Sequence, residues 1–305
     1  MKILQKLANS TRELPILKNI KVQNNSAFAT DLDMRITKQT DFDDGFYREG
    51  YAIPVSDNEA SNFPDVSRMF SENPVKTYTF NLDKFLKDLQ FLSPSMSKEE
   101  TRCYICGIVL HENNMIATNG HTLKMIDLYS YNVQFNNPEY QQGSIIPSKA
   151  IKFLIEILKA EKKTRNTITM TLCQRGVSFS VGSYLLETKL IDGTYPEYKR
   201  VIPKIDDKYK EFLWNQTEAK AIFKQVKAYN KAHDIKEPIV RLENNRAIVN
   251  NLVIDTLIDC PITCGFNAAY LADIPDGNAY ILDESSPMLV KSANKTSVIM
   301  LVKIK

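Results

Sequence analysis

One helix followed by three strands recurs along this chain, and that repeat constrains the fold more than any other feature. It is clearest in the middle. Leu82 to Leu89 carries apolar residues at helical spacing and is followed by strand-like segments at Gly107–Leu110, Met115–Thr118 and Leu123–Ile126. The order then returns: Pro147 opens a helix through Ile151, Leu154, Ile155 and Leu158, and Thr167–Leu172, Val177–Val181 and Leu185–Ile191 follow as strands. A third unit has a helix from about Thr217 to Asn230, then strands at Ile239–Leu242, Ala247–Val249 and Val253–Ile258. A fourth places a short helix around Phe266–Ile274 before Ala279–Leu282, Met288–Val290 and a terminal strand from Ser297. Before residue 75 the pattern is incomplete: a short helix over Met1–Ala8, strands at Leu14–Ile20, Ala27–Thr37 and Tyr51–Val55, and no second good helix. The expected class is therefore α+β, built of repeated α-βββ units with helices on one face of antiparallel sheets. Junctions are expected at Asn73-Pro74 and Ile205–Lys208, giving domains 1–74, 75–203 and 204–305.

The polar faces of these helices share a chemistry. Lys220, Lys224, Lys227 and Lys231 form one stripe opposite Ala219, Ile222, Phe223 and Val226; Lys152, Lys159 and Lys163 repeat that spacing, and Lys84 and Lys87 begin it on the first helix. One lysine stripe is ordinarily a solvated face. Three alike, placed on a common side by the repeat, make a sequence-blind cationic surface suited to nucleic-acid phosphates. The net charge of +3 is too small to say this by itself.

Other chemistries find little support. Five cysteines, an odd number at low density, argue against a disulfide framework and for a reducing, cytoplasmic compartment, and no apolar run reaches bilayer length. Cys103-Tyr104-Ile105-Cys106 and Cys260-Pro261-Ile262-Thr263-Cys264 invite a zinc or thiol-redox reading, but residues 103–110 read as strand entry, where positions three apart face opposite ways. Asp31 and Asp33 would share one strand face and could hold a cation, a solvated pair being the simpler outcome. His111, His121 and His233 lack metal-ligand spacing, ten glycines form no phosphate-cradling motif, and no nucleophile–base pair is evident. No cofactor, metal or catalytic residue is expected.

A polar turn, Ala117-Thr118-Asn119-Gly120-His121, sits between two apolar runs, and Asn-Gly is a strong hairpin signal. It resembles the Ala-Thr-Asp-Gly-His turn of the bacterial DNA polymerase III beta subunit, the sliding-clamp family. Leu190 to Pro203 is similar to that family's segment closing its middle domain, Gly265–Leu271 to its last helix, Leu14–Leu17 and Thr30–Met34 to its first domain, and Ile145–Pro147 to its middle one. Six such segments in family order over nearly the whole chain are poorly explained by chance.

The resemblance implies DNA-clamp domains and a processivity factor that is not an enzyme. In the family, head-to-tail subunits form a homo-oligomeric ring around double-stranded DNA, most often dimeric. Replicative polymerase, clamp loader and repair proteins dock through short peptides in a pocket between the last two domains. Carried over, that pocket comprises Ile105, Thr118, Gly120, His121, Thr122, Leu123, Pro196, Arg200, Val201, Pro287, Val298, Met300, Leu301 and Val302. Two departures touch the pocket: Thr122 replaces an Arg, and Leu301 replaces a Pro. A third is a shortened first domain, which leaves open the alternative of a clamp-like interaction protein that binds partner peptides without encircling DNA.

Overall fold

The computed structural model describes residues 1–11, 14–64, 74–131 and 143–303. Helix α1 (Lys2–Asn9) precedes strands β1 (Ile20–Gln23), β2 (Ser26–Thr30), β3 (Met34–Gln39), β4 (Gly45–Arg48) and β5 (Tyr51–Ile53), with a short α2 at Asp57–Ser61. The middle of the chain holds β6 (Pro74–Asn81), α3 (Leu82–Leu92), β7 (Gly107–His111), β8 (Asn114–Thr118), β9 (Thr122–Asp127), β10 (Ser144–Pro147), α4 (Ser148–Glu161), β11 (Thr167–Cys173), β12 (Gly176–Val181) and β13 (Tyr184–Lys189). The remainder is β14 (Lys210–Trp214), α5 (Gln216–Ala232), β15 (Ile239–Val249), β16 (Leu252–Asn267), α6 (Ala268–Ala272), β17 (Gly277–Ile281), β18 (Met288–Ser292) and β19 (Lys295–Ile299).

The α-then-βββ order is present after α3, α4 and α6, whereas α5 is followed by two long strands only, and there is an addition. Each of α3, α4 and α5 is entered directly from a short strand, β6, β10 and β14, that the sequence pattern does not separate from its helix. The transitions have local causes. Asn81 and Asn215 cap their helices by accepting the N–H of Lys84 and Glu218, each at 3.0 Å. Pro147 ends β10 and immediately precedes α4, where its missing N–H costs nothing.

The strands form two large sheets and one small one. The first runs β5-β4-β1-β2-β3-β13-β12-β11-β6, the second β10-β7-β8-β9-β19-β18-β17-β14, and β15 pairs with β16 alone among the described residues. Both large sheets are stitched from sequence-distant halves, at the antiparallel seams β3–β13 and β9–β19. The second sheet is apolar on both faces. Ile108, Leu110, Ala117 and Ile126 join the core under α1, α3 and α4, whereas Val109, Ile116, Leu123 and Val298 pack with Tyr195 and Tyr198 on the opposite face. That division puts the helices on one side of the sheet and the segment from Ile191 to Ile202 on the other.

Several expected elements differ. Leu14–Ile20 is not a strand: Pro15–Lys18 is a 3-10 turn and only then does β1 begin. The separate strands expected between 239 and 258 are one long ladder, in which β16 runs on to Asn267 and α6 is correspondingly short. Residues 100–105 form a 3-10 helix, so the strand geometry assumed for Cys103 and Cys106 does not apply; Cys103 is exposed and Cys106 half-buried, and both are free thiols. Asp31 and Asp33 lie in the β2–β3 connection rather than on a strand. Each faces its own lysine, Asp31 at 2.5 Å from Lys149 of α4 and Asp33 at 2.8 Å from Lys189 of β13, so one ties the connection to a helix and the other ties it to the second half of the first sheet, instead of both facing a shared cation. Of the expected junction Asn73-Pro74, only Pro74 is among the described residues, and it starts β6.

Candidate peptide pocket and cationic helix face

The polar turn is held by its own side chains. Asn119 accepts hydrogen bonds from the N–H groups of His121 and Thr122, both at 2.9 Å, and the Thr118 hydroxyl donates to the Thr122 carbonyl at 2.8 Å. Gly120 takes φ +87°, open to glycine at no steric cost, and a Cβ there would lie 3.3 Å from the Arg102 guanidinium. The terminal strand docks on this turn. Its β19 residues pair with β9 up to Ile299↔Thr122, the Met300 N–H donates to the His121 carbonyl at 2.9 Å, and the Val302 N–H donates to the Gly265 carbonyl at 2.9 Å.

A third segment completes the wall. Tyr195 and Tyr198 are buried on the outer face of the second sheet, and the Tyr198 hydroxyl lies 3.2 Å from His111 Nδ1, with the rings edge to face. These anchors hold Pro196 and the 3-10 turn Tyr198–Val201 over the sheet. Ile105, Thr118, Gly120, His121, Thr122, Leu123, Pro196, Val201, Val298 and Met300 thereby line one cavity of about 210 Å³. Val201 and Met300 remain 46% and 43% exposed, apolar groups presented to solvent at its mouth.

Arg200, Pro287, Leu301 and Val302 are not among the residues lining this cavity. Leu301 packs on the core beneath α5 instead, and Val302 is bridged to Gly265. Sequence reasoning missed Arg102, Tyr104, Glu197 and Tyr198, which line it too. The 3-10 geometry of residues 100–105 brings Arg102 and Tyr104 in beside Ile105, and so short a helix leaves no periodic trace. Thr122 is present but turned inward, its hydroxyl 2.9 Å from that of Ser95. The guanidinium against the turn is that of Arg102, held by Glu99 at 2.7 Å.

Behind the pocket, Lys124 on β9 is 3% exposed and faces α3. Its ammonium donates to the Asp273 carbonyl at 3.2 Å and stands 5.0 Å from the Phe91 ring centre, as does the ammonium of Lys295, which pairs with Asp88 at 3.1 Å. Burial lowers Lys124 to about 8, with Asp273 opposing the shift and Lys295 adding to it. The folded value lies below the unfolded value of 10.5, so between them the unfolded chain holds more protons and folding stability rises with pH. Thermal unfolding followed from about pH 7.5 to about pH 10 should show that rise, worth at most about 3 kcal/mol, and Lys124→Met should flatten it. An identical pH profile in the variant would contradict the assignment.

The lysines lie on the helix side. Lys220, Lys224, Lys227 and Lys231 are all exposed on α5 while Ala219, Ile222 and Val226 are buried, and Lys152, Lys159 and Lys163 are exposed on or just past α4. The first helix differs. Lys84 is drawn to the Ser130 carbonyl at 2.6 Å and lies over the Tyr131 ring, and Lys87 pairs with Asp83 at 2.6 Å. The expected first helix, α1, was not counted in this layer, yet it packs beside α4 through Lys6, paired with Glu156 and lying over Phe153, and adds Lys2, Gln5 and Asn9 to it.

Helices gathered on one side of two large sheets, each stitched from the strands of two sequence-distant units, define a class, the DNA-clamp fold. Residues 79–197 match the family model described as DNA polymerase III beta subunit, central domain. The beta sliding clamp of Caulobacter vibrioides is 27% identical over 265 residues, covering 80% of this chain and 68% of that protein. For that of Escherichia coli K12 the values are 25% over 252 residues, 78% and 65%. Among solved structures, the DnaN sliding clamp from Bartonella birtlesii bound to griselimycin superposes with a TM-score of 0.78 at 22% identity, covering 99% of this chain and 96% of that one. A Caulobacter crescentus beta sliding clamp gives 0.78 at 23%, with the same coverage. Residues 79–197 thus resemble the central domain of the DNA polymerase III beta subunit, and nearly the whole chain shares the fold of solved sliding clamps.

Proposed function

We propose that this clamp encircles duplex DNA as a homo-oligomeric ring, its lysine-bearing helices turned to the phosphates, and tethers the replicative polymerase, clamp loader and repair proteins through peptides bound in the cavity at the 118–123 turn. The observation that carries the reading is the placement of the two surfaces: the cavity is built on the outer face of the second sheet, opposite the face covered by α3 and α4. A peptide can be held there while the helix side meets DNA. The cavity is mostly apolar with one guanidinium and one carboxylate at its edge, the form expected of an anchor site for an extended segment with hydrophobic side chains. The lysines of α4 and α5 offer point charges without base-reading geometry, which suits a contact that must slide. We divide the chain into domains at residues 1–74, 75–203 and 204–305, and place its work in the cytoplasm; no helix among the described residues is long and apolar enough to cross a membrane.

Retention on nicked circular DNA through gel filtration, abolished when the circle is linearised, is the expected result. Equal retention on both forms would overturn encirclement. One observation favours the second reading, a peptide-binding protein that does not encircle DNA: only five strands precede β6 among the described residues, and there β15 and β16 form a ladder with no third strand. A strictly monomeric chain at micromolar concentration that still binds polymerase-derived peptide would establish it.

A further inference from the structure

Cysteines four apart on an uninterrupted strand stand about 13 Å from each other. On β16, Cys260 and Cys264 are instead in contact, with their sulfurs 3.7 Å apart. The register explains this. Cys260 lies opposite Asn244 and Cys264 opposite Leu242, so four steps along β16 are matched by two along β15. Pro261, which has no N–H to give the ladder, starts the excursion; Thr263 is carried outward and Ile262 packs half-buried at the core edge, while both thiols turn into the core under α5. Two steps of a strand are about 7 Å, close to the upper end of the Cα separations that disulfides span. The pair at 103 and 106 has no such arrangement: the Cys106 sulfur points to the carbonyls of Glu99 and Arg102 at 3.1 and 3.5 Å.

We propose that Cys260 and Cys264 are a redox modification site, closing reversibly to an intrastrand disulfide across the β16 excursion when a low-molecular-weight disulfide is the oxidant. The Cys260 thiolate attacks the small disulfide and releases one small thiol. The Cys264 sulfur then attacks Cys260 in the mixed disulfide, releasing the second small thiol and leaving the Cys260–Cys264 bond. The two protein thiol protons end on the two released thiols, and the protein pair gives up two electrons, which reduce the small disulfide. The contact favours this order, because the neighbouring Cys264 S–H holds Cys260 below the usual thiol range while pushing Cys264 above it. Both sulfurs are buried, so exchange proceeds through opening of the ladder, and a two-stranded ladder opens more readily than a wide sheet. Closure bears on the terminal segment, since Gly265, next to Cys264, accepts the Val302 N–H just beyond Met300 of the pocket.

The test uses the full native chain equilibrated in a glutathione buffer at about −200 mV, quenched in acid, alkylated, digested and mapped by mass spectrometry. The fragment holding residues 260–264 should lose both alkylatable thiols and the mass of two hydrogen atoms, and dithiothreitol should restore them. The equilibrium constant for closure should be at least about tenfold larger than in the urea-unfolded chain, a difference of about 30 mV, because the fold holds the sulfurs together. Two alkylatable thiols persisting in the native fragment, or closure no more favourable than in the unfolded chain, would overturn the proposal.

Discussion

Val201→Asp should weaken binding of a polymerase-derived peptide by about 30-fold or more, equivalent to about 2 kcal/mol, while leaving the thermal midpoint nearly unchanged. The side chain is 46% exposed at the cavity mouth, so the folded chain loses little when it is replaced, yet a bound peptide would have to desolvate the new carboxylate against an apolar wall. Two comparisons make the result specific. Arg200→Ala, one residue earlier and outside the cavity lining, should change affinity several-fold at most and chiefly at low salt. Leu301→Asp should behave in the opposite way, lowering the thermal midpoint because Leu301 packs on the core under α5. Fluorescence anisotropy with a labelled peptide, beside a thermal melt of each variant, separates the cases. Unchanged affinity in Val201→Asp would remove the cavity from the peptide site.

The contrast between Val201 and Leu301 also marks how far the sequence could be read. Position-by-position resemblance treated the terminal strand as a continuous wall, but its polypeptide turns after Met300: that residue's N–H still reaches the 118–123 turn, while Val302 already belongs to β16 through Gly265. Alternation along one strand does not reveal where it changes partner. Arg102 and Tyr104 were hidden for a different reason, a 3-10 helix of mixed composition that has neither a period of two nor of 3.6. The Ser95–Thr122 contact joins residues from two elements and has no local signature at all. By contrast, the helices α4 and α5, the hairpin turn with its Asn-Gly pair and the antiparallel strands of the middle units were legible, because each is specified by side chains close in sequence. The long β15–β16 ladder was read as fragments because Asn244, Asn245 and the Cys-Pro-Ile-Thr-Cys excursion interrupt its apolar alternation without ending its pairing.

The same local legibility made the lysine stripe of α5 visible, and its expected effect on DNA is large. Replacing Lys220, Lys224 and Lys227 together with Glu should reduce affinity for a short linear duplex by about two orders of magnitude at moderate salt. It should also lower the slope of log affinity against log salt by up to about 2.7, roughly 0.9 for each phosphate that the variant no longer neutralises. A short linear duplex is the appropriate substrate, since topological retention on a circle would mask a weakened interaction. All three side chains are exposed, and the face opposite them, Ala219, Ile222 and Val226, supplies the packing that holds the helix, so the triple variant should remain folded. Lys84→Glu should cost less DNA affinity than any one of the three, because that ammonium is already engaged by the Ser130 carbonyl and the Tyr131 ring. Peptide affinity should be unaltered in both variants, the cavity lying on the outer face of the second sheet with Val201 and Met300 at its mouth. A triple variant that keeps its salt slope, or whose peptide and DNA affinities fall in equal measure, would take the stripe out of the DNA interface and return these lysines to the role of a solvated helix face.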